Sequence, residues 1–262
     1  MADEQGAGQG IKSLDSALSV LLHLGSLSGP SSLTEIARVC SMPPSKVHRY
    51  LASFIQAGLV RQEGRSGQYD LGPGALQLGL SAMSRHDFVN SAADGLPALA
   101  AQTGVTVLLA VWGTEGATVV RWQRGEIPAV TSMGLGTTLP LLNSATGRAF
   151  LAWAPEGAIA TQREKELRRA VRNPGILVDV AANKTGLNAL VAQIKADGFA
   201  HVRGEYIPGL VAVAAPILDW QHEAQAVITL VGIDPAMAEP GSEAVQVLRE
   251  FCLEKSMTRR LD

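Results

Sequence analysis

Ser32-Leu33-Thr34-Glu35-Ile36-Ala37-Arg38-Val39-Cys40-Ser41-Met42-Pro43-Pro44-Ser45-Lys46-Val47-His48-Arg49-Tyr50-Leu51 is the stretch that decides the fold. Ser32 and Glu35 stand at the spacing of a capping box, in which hydroxyl and carboxylate satisfy each other's backbone donors at a helix start. Leu33, Ile36, Ala37 and Cys40 then recur at helical spacing and are predicted inward. Ser41-Met42-Pro43-Pro44 breaks that helix, and proline is tolerated in the first turn of the next, where no intrahelical donor is lost. A further helix is predicted to about residue 57, with Val47, Leu51, Phe54 and Ile55 inward and Gly58 as its stop.

Upstream, residues 11–27 carry Leu14, Ala17, Leu18, Leu21, Leu22 and Gly25 at helical spacing, and Ser28-Gly29-Pro30 ends that helix. Downstream, two short polar strands, residues 60–63 and 68–71, flank Gly64-Arg65-Ser66-Gly67 as a hairpin. Helix, helix, tight turn, helix and hairpin in that order make a winged helix-turn-helix. Gly72-Pro73-Gly74 closes the unit, and a helix over residues 75–90 leads onward. Leu76, Leu80, Met83 and His86 fall on one side of it, a candidate contact between two copies of the chain.

The remainder alternates. A helix is predicted over 91–102, then strands 106–112 and 117–123 joined by Gly113-Thr114-Glu115-Gly116. Helices over 144–153, 161–172 and 185–197 follow, then strands at 199–203, 210–217 and 224–231 and a last helix over 242–255. Hairpin-connected strands with helices around them predict an α+β fold with an antiparallel sheet. The expected organisation is a disordered tail (1–10), a winged helix-turn-helix (11–74), a helical linker (75–90), an effector-binding domain (91–256) and a short tail (257–262).

Composition narrows the function classes. With 47% hydrophobic and 18% charged residues in 262, the chain is that of a packed globular protein. A net charge of −2 gives no overall basic footprint, so DNA binding must rest on a local patch. Cys40 and Cys252 lie far apart, which suits reduced thiols in a cytoplasm. The first ten residues do not read as a signal peptide, and no apolar run approaches the roughly 20 residues of a membrane helix. A cytoplasmic protein without a membrane partner is expected. GxSxG, P-loop and HExxH signatures are absent, and the five histidines lack metal-ligand spacing, so no catalytic residue, metal or cofactor is predicted.

The local patch exists. Opposite its core residues, the third helix presents Ser45, Lys46, His48, Arg49, Ala52, Ser53 and Gln56. Over residues 43–65 the charges are Lys46, Arg49, Arg61 and Arg65 against Glu63 alone. Arginine and lysine can neutralise phosphates or read guanine, and serine can bond base edges or phosphates. The candidate DNA-binding residues are therefore Ser45, Lys46, His48, Arg49 and Ser53 on the helix, with Arg61 and Arg65 in the wing. Charge alone fits a solvated helix equally well; element order and the hairpin arginines favour DNA.

Several blocks carry a family resemblance. Ile11-Lys12-Ser13-Leu14-Asp15-Ser16-Ala17-Leu18, the Ser32–Ala37 and Pro43–Leu51 segments quoted above, and Tyr69-Asp70-Leu71-Gly72-Pro73 resemble successive parts of the IclR family of regulators. Leu139-Pro140-Leu141-Leu142-Asn143-Ser144-Ala145-Thr146-Gly147-Arg148-Ala149 and Gly209-Leu210-Val211-Ala212-Val213-Ala214-Ala215-Pro216-Ile217 continue the likeness in order. The resemblance implies a homodimer or homotetramer on palindromic operator DNA and a GAF-like, non-catalytic domain that binds a small-molecule effector. A GAF-like enzyme or adaptor with a vestigial helix-turn-helix is the alternative. Three positions depart from the family pattern: Pro44 replaces a lysine, His201-Val202-Arg203-Gly204-Glu205 replaces an acidic stretch, and Ala212 replaces a cysteine.

The same resemblance places the effector pocket among Ala145, Thr146, Val202, Ala212, Thr229 and Val231. Read from the residues, Ser144-Ala145-Thr146-Gly147 opens a helix whose free amides suit a carboxylate, or Ser144 serves only as its cap. Arg148 and Arg203 can each meet an anionic ligand or an ion pair at the surface, and Trp112 and Trp122 can wall the pocket or fill the core. Arg203 is included among the candidate effector residues. An apolar lining at Val202, Ala212 and Val231 predicts an aromatic or medium-chain acid as effector, because a small, densely polar oxo acid would lose hydrogen bonds to water there without replacement.

Overall fold

The computed structural model of the chain describes residues 11–64, 66–84, 87–126 and 133–257, without the side chains of Met83 and Ser84. The expectations for residues 1–10, Arg65, the Met83 side chain, His86 and residues 258–262 lie outside the described residues. The chain forms two compact units, Met1–His86 and Asp87–Asp262.

The first unit runs α1 (Lys12–Ser26), α2 (Leu33–Val39), α3 (Pro44–Gln56), β1 (Val60–Gln62), β2 (Tyr69–Leu71) and α4 (Pro73–Ser84). Its strands pair antiparallel, with Arg61 opposite Asp70. Val20, Leu24, Ile36, Ala37, Val47, Leu51, Val60 and Tyr69 form its core. Half of the capping box is present: Ser32 Oγ accepts from the Glu35 amide at 3.2 Å, but the Glu35 carboxylate turns to Arg38, 2.6 Å away. A cation one turn along the helix competes successfully for that carboxylate. Gly58 ends α3 with φ +72°, where its amide donates to Ile55 O and that of Leu59 to Phe54 O.

The helical spacing that marked α1 did not say which side it buries: Leu14, Leu18 and Leu22 are exposed, whereas Val20 and Leu24 are buried. Apolar residues cover more than one side of this helix, so periodicity offered two faces and packing against α2 and α3 selected one. Ile55 of α3 is 39% exposed instead of inward. Leu76, Leu78 and Leu80 of α4 are exposed as well.

The second unit begins with α5 (Phe88–Ala93) and α6 (Leu96–Thr103). Asp87 starts α5 in extended backbone, its carboxylate accepting from the Asn90 amide at 3.0 Å, so the helix expected over 75–90 is two helices. Then come β3 (Thr106–Gly113), β4 (Gly116–Gln123), β5 (Thr138–Leu139), α7 (Ala145–Trp153), α8 (Glu156–Arg172), α9 (Lys184–Asp197), β6 (Ala200–Arg203), β7 (Val211–Leu218), β8 (Ala224–Gly232) and α10 (Glu243–Lys255). The six strands form one antiparallel sheet in the order β5-β4-β3-β8-β7-β6. The architecture is α+β.

Both faces of the sheet are covered, which explains strands as uninterruptedly apolar as Val-Ala-Val-Ala-Ala-Pro-Ile in β7. Successive side chains go to opposite faces. Val107, Leu109, Val213, Ile228 and Leu230 pack with α5, α6 and α10, whereas Leu108, Ala110, Ala214, Val227 and Val231 pack with α7 and the segments around it. The second face holds the cavity described next. Among the described residues no helix is long and apolar enough to cross a membrane.

Candidate DNA-binding face and effector cavity

α3 exposes Ser45, Lys46, His48, Arg49 and Ser53 together, opposite the buried Val47 and Leu51. Arg49 and Lys46 have no carboxylate partner among the described residues, and Lys46 Nζ lies 5.7 Å from the centre of the Tyr50 ring. The Ser53 hydroxyl donates to Arg49 O at 3.2 Å. Arg61 is different: the β1–β2 register sets it opposite Asp70, and its guanidinium donates to that carboxylate at 2.7 Å. This pairing, which the sequence reading did not anticipate, holds the Asp70 carboxyl below its usual range.

In the second unit, Ala145, Thr146, Val202, Ala212, Thr229 and Val231 line a narrow cavity. Strand register explains the grouping. Val202 pairs with Ala212 and Ala212 with Val231, making one row across β6, β7 and β8, while Thr229 lies opposite Leu108 on β3. The first turn of α7 lies over that row. Ser144 caps it, its Oγ accepting from the Gly147 amide at 2.9 Å and donating to Pro140 O at 2.5 Å. A Cβ on Gly147 would stand 2.0 Å from Pro140 O, so only glycine allows this helix start to press on the 140–141 backbone. The Thr146 and Thr229 hydroxyls, both buried, bond each other at 2.8 Å.

The two expected cations are elsewhere. Arg203 follows Val202 on β6 and goes to the opposite face of the sheet, where its guanidinium pairs with Glu239 at 2.9 Å; it does not line the cavity. Arg148 is 2% exposed, not at the surface. It grips the Asp179 carboxylate with two bonds of 2.7 Å and also donates to Leu142 O and His201 O. Partial burial disfavours the Asp179 carboxylate, yet the bonds and charge of Arg148 prevail and hold it below the ordinary range. Burial, then the positive charges of Arg203 and Arg148, depress the His201 imidazole, against weaker opposing pulls from Glu205 and Asp197.

Trp112 meets Phe150 edge-on with centroids 5.5 Å apart and donates to Ala158 O; neither Trp112 nor Trp122 lines the cavity. Sequence reasoning missed Tyr206, Ile207 and Leu210, which form a further wall. The one local signal is the placing of Tyr206 and Ile207 between Gly204 and Gly209, both with positive φ. Among the described residues no group of three or more His, Cys, Asp or Glu side chains could hold a metal ion.

Comparison with known proteins agrees with this architecture. Residues 13–64 match the IclR helix-turn-helix domain and residues 80–256 the bacterial transcriptional regulator IclR C-terminal domain. The chain is 31% identical to the HTH-type transcriptional regulator BhcR of Paracoccus denitrificans, over 85% of this chain and 78% of that one. It is 26% identical to the transcriptional repressor IclR of Escherichia coli, over 93% and 89%. The crystal structure of Pseudomonas aeruginosa HmgR superposes with a TM-score of 0.80 at 36% identity, covering 94% of this chain and 97% of that one. A winged helix-turn-helix followed by a domain of this sheet topology, matched along both parts, leaves one conclusion: the chain belongs to the IclR family of DNA-binding transcriptional regulators.

Proposed function

We propose that this regulator is controlled by a small organic acid with an aromatic or medium-chain body, bound in the cavity over β6, β7 and β8. The observation that carries the reading is the lining itself. Val202, Ala212, Val231, Leu108 and Leu210 are apolar, and Thr146 and Thr229 supply the polar atoms in their midst. Apolar ligand surface gains about 25 cal/mol per Å² on burial there, whereas a small oxo acid would lose its hydration without replacement.

DNA contact is assigned to Ser45, Lys46, His48, Arg49 and Ser53, with Arg61 and Arg65 flanking. One winged helix offers a small interface, so a homodimer or homotetramer on a palindromic operator is the assembly proposed. The exposed leucines of α4 support a contact between copies. The working compartment is the cytoplasm.

A mobility-shift assay with DNA flanking the gene, repeated across aromatic, medium-chain and oxo acids, tests the reading. Release or capture of the DNA by acids with an apolar body is expected. A response to glyoxylate or pyruvate alone would show that the apolar lining does not select the effector.

A further inference from the structure

We infer that Tyr206 and Ile207 form a displaceable plug in the effector cavity. The apolar body of the ligand enters by pushing the segment Gly204-Glu205-Tyr206-Ile207-Pro208-Gly209 outward, and these two side chains set which effectors are admitted. The inference rests on the reading of the cavity as an effector site and adds how that site opens.

The cavity as it stands is too small for the ligands its lining suits. Its free volume is about 30 Å³, whereas a benzene ring is held by a cavity of about 150 Å³. Room for a ring or a medium chain must therefore come from moving a wall, and most walls are fixed. β6, β7 and β8 are tied in register through Val202, Ala212 and Val231. At the start of α7, Ser144 caps the helix, Arg148 donates to Leu142 O and His201 O, and Thr146 bonds Thr229.

The segment 204–209 is held differently. It connects β6 to β7, and among the described residues its hydrogen bonds are local. The Leu210 amide donates to Ile207 O at 3.0 Å, and the Arg203 amide donates to the Glu205 carboxylate. What keeps the segment in place is the packing of Tyr206 and Ile207 in the cavity. Both ends are glycines, with φ of +100° at Gly204 and +79° at Gly209. A Cβ on Gly209 would meet nothing within 4 Å, so backbone conformation and not crowding calls for glycine there. Tyr206 also has an outer position to take. Beside the cavity it lines an open cleft with Leu139, Pro140 and Ile176, so its ring can leave without losing all apolar contact. Expelling the pair gives up buried apolar surface, and only a ligand with comparable apolar surface restores it.

The test is calorimetric binding of octanoate and 3-phenylpropionate to the full-length protein, with amide hydrogen exchange read in parallel. Wild type bears the cost of expelling the plug, so Tyr206→Ala/Ile207→Ala should bind both acids at least about tenfold more tightly. Binding by the variant alone would be the limiting form of that result. A fixed wall would act the other way, because truncation removes contact area from the bound ligand. In wild type at saturation, exchange should speed up at the Leu210 amide as its bond to Ile207 breaks, and slow down in the first turns of α7. This second readout decides the matter even where the variant does not fold. Equal or weaker binding by the folded variant, or unchanged or slower exchange at Leu210 in saturated wild type, overturns the plug and leaves the cavity standing. Binding of neither acid by wild type or variant overturns the cavity reading itself.

Discussion

α3 presents an arginine in its second turn and α7 one in its first, and the two arginines have opposite fates. Arg49 is exposed and has no carboxylate partner among the described residues, on a helix anchored by its other side. Arg148 is buried with its guanidinium donating to a carboxylate and two carbonyls. The difference teaches how to read a cation in this protein. One left without an internal partner is available to something outside the chain, and one fully engaged inside shapes a site without touching its ligand. Arg148 ties α7, β6 and the segment at Asp179 together, and those elements hold Thr146 and Val202 in place.

The comparison predicts its largest effect on stability where the buried guanidinium is removed. Arg148→Met takes the donor from the Leu142 and His201 carbonyls and the partner from the partly exposed Asp179 carboxylate, and should destabilise the second unit by about 1–3 kcal/mol, read from urea unfolding. Adding Asp179→Leu should restore part of the loss. Intact stability in the single variant would show that the pair does not hold the site. At Arg49 the prediction reverses: Arg49→Ala should leave unfolding unchanged and weaken operator binding by about 5- to 150-fold, measured by fluorescence anisotropy. Unchanged affinity would remove Arg49 from the interface.

A smaller effect separates ligand from scaffold in the cavity. Thr146→Val leaves the buried Thr229 hydroxyl without its partner, which should lower stability by about 1–3 kcal/mol as well as weaken effector binding. The paired change Thr146→Val/Thr229→Val should recover stability but not ligand affinity. Recovery of both would mean that the hydroxyls serve packing alone.

The smallest prediction concerns pH. His201 and Asp179 both have folded-state pKa values below their unfolded ones. Each therefore contributes stability that is present above its unfolded pKa and lost as pH falls toward its folded one. Acidification from pH 7.5 should begin to lower the melting temperature near the ordinary histidine range, with the Asp179 loss following at lower pH. His201→Asn should remove the first step only. A variant that follows the wild-type curve through that range would exclude the imidazole as its cause.

Much of the fold was legible because it depends on neighbours in sequence. Ser144 at the start of α7, Gly58 at the end of α3 and the Gly113–Gly116 turn between β3 and β4 are local signals, and each lies where the sequence reading set it. The cavity residues on β6, β7, β8 and α7 came from family likeness, and strand register brings them together. Tyr206 escaped notice because a loop residue has no periodicity to betray its direction.

The sequence by itself determined the order of elements and the cationic face of α3, since these follow from backbone preference and side-chain spacing within one segment. Tertiary structure alone decided that α1 buries Val20 and Leu24 and not Leu14 or Leu18, and that Arg61 faces Asp70. It alone joined Thr146 to Thr229 across 83 residues and Arg148 to Asp179 across 31. The physical reason is that a side chain's partner depends on which distant surfaces come to exclude water together. Neither the residue nor its sequence neighbours carry that information.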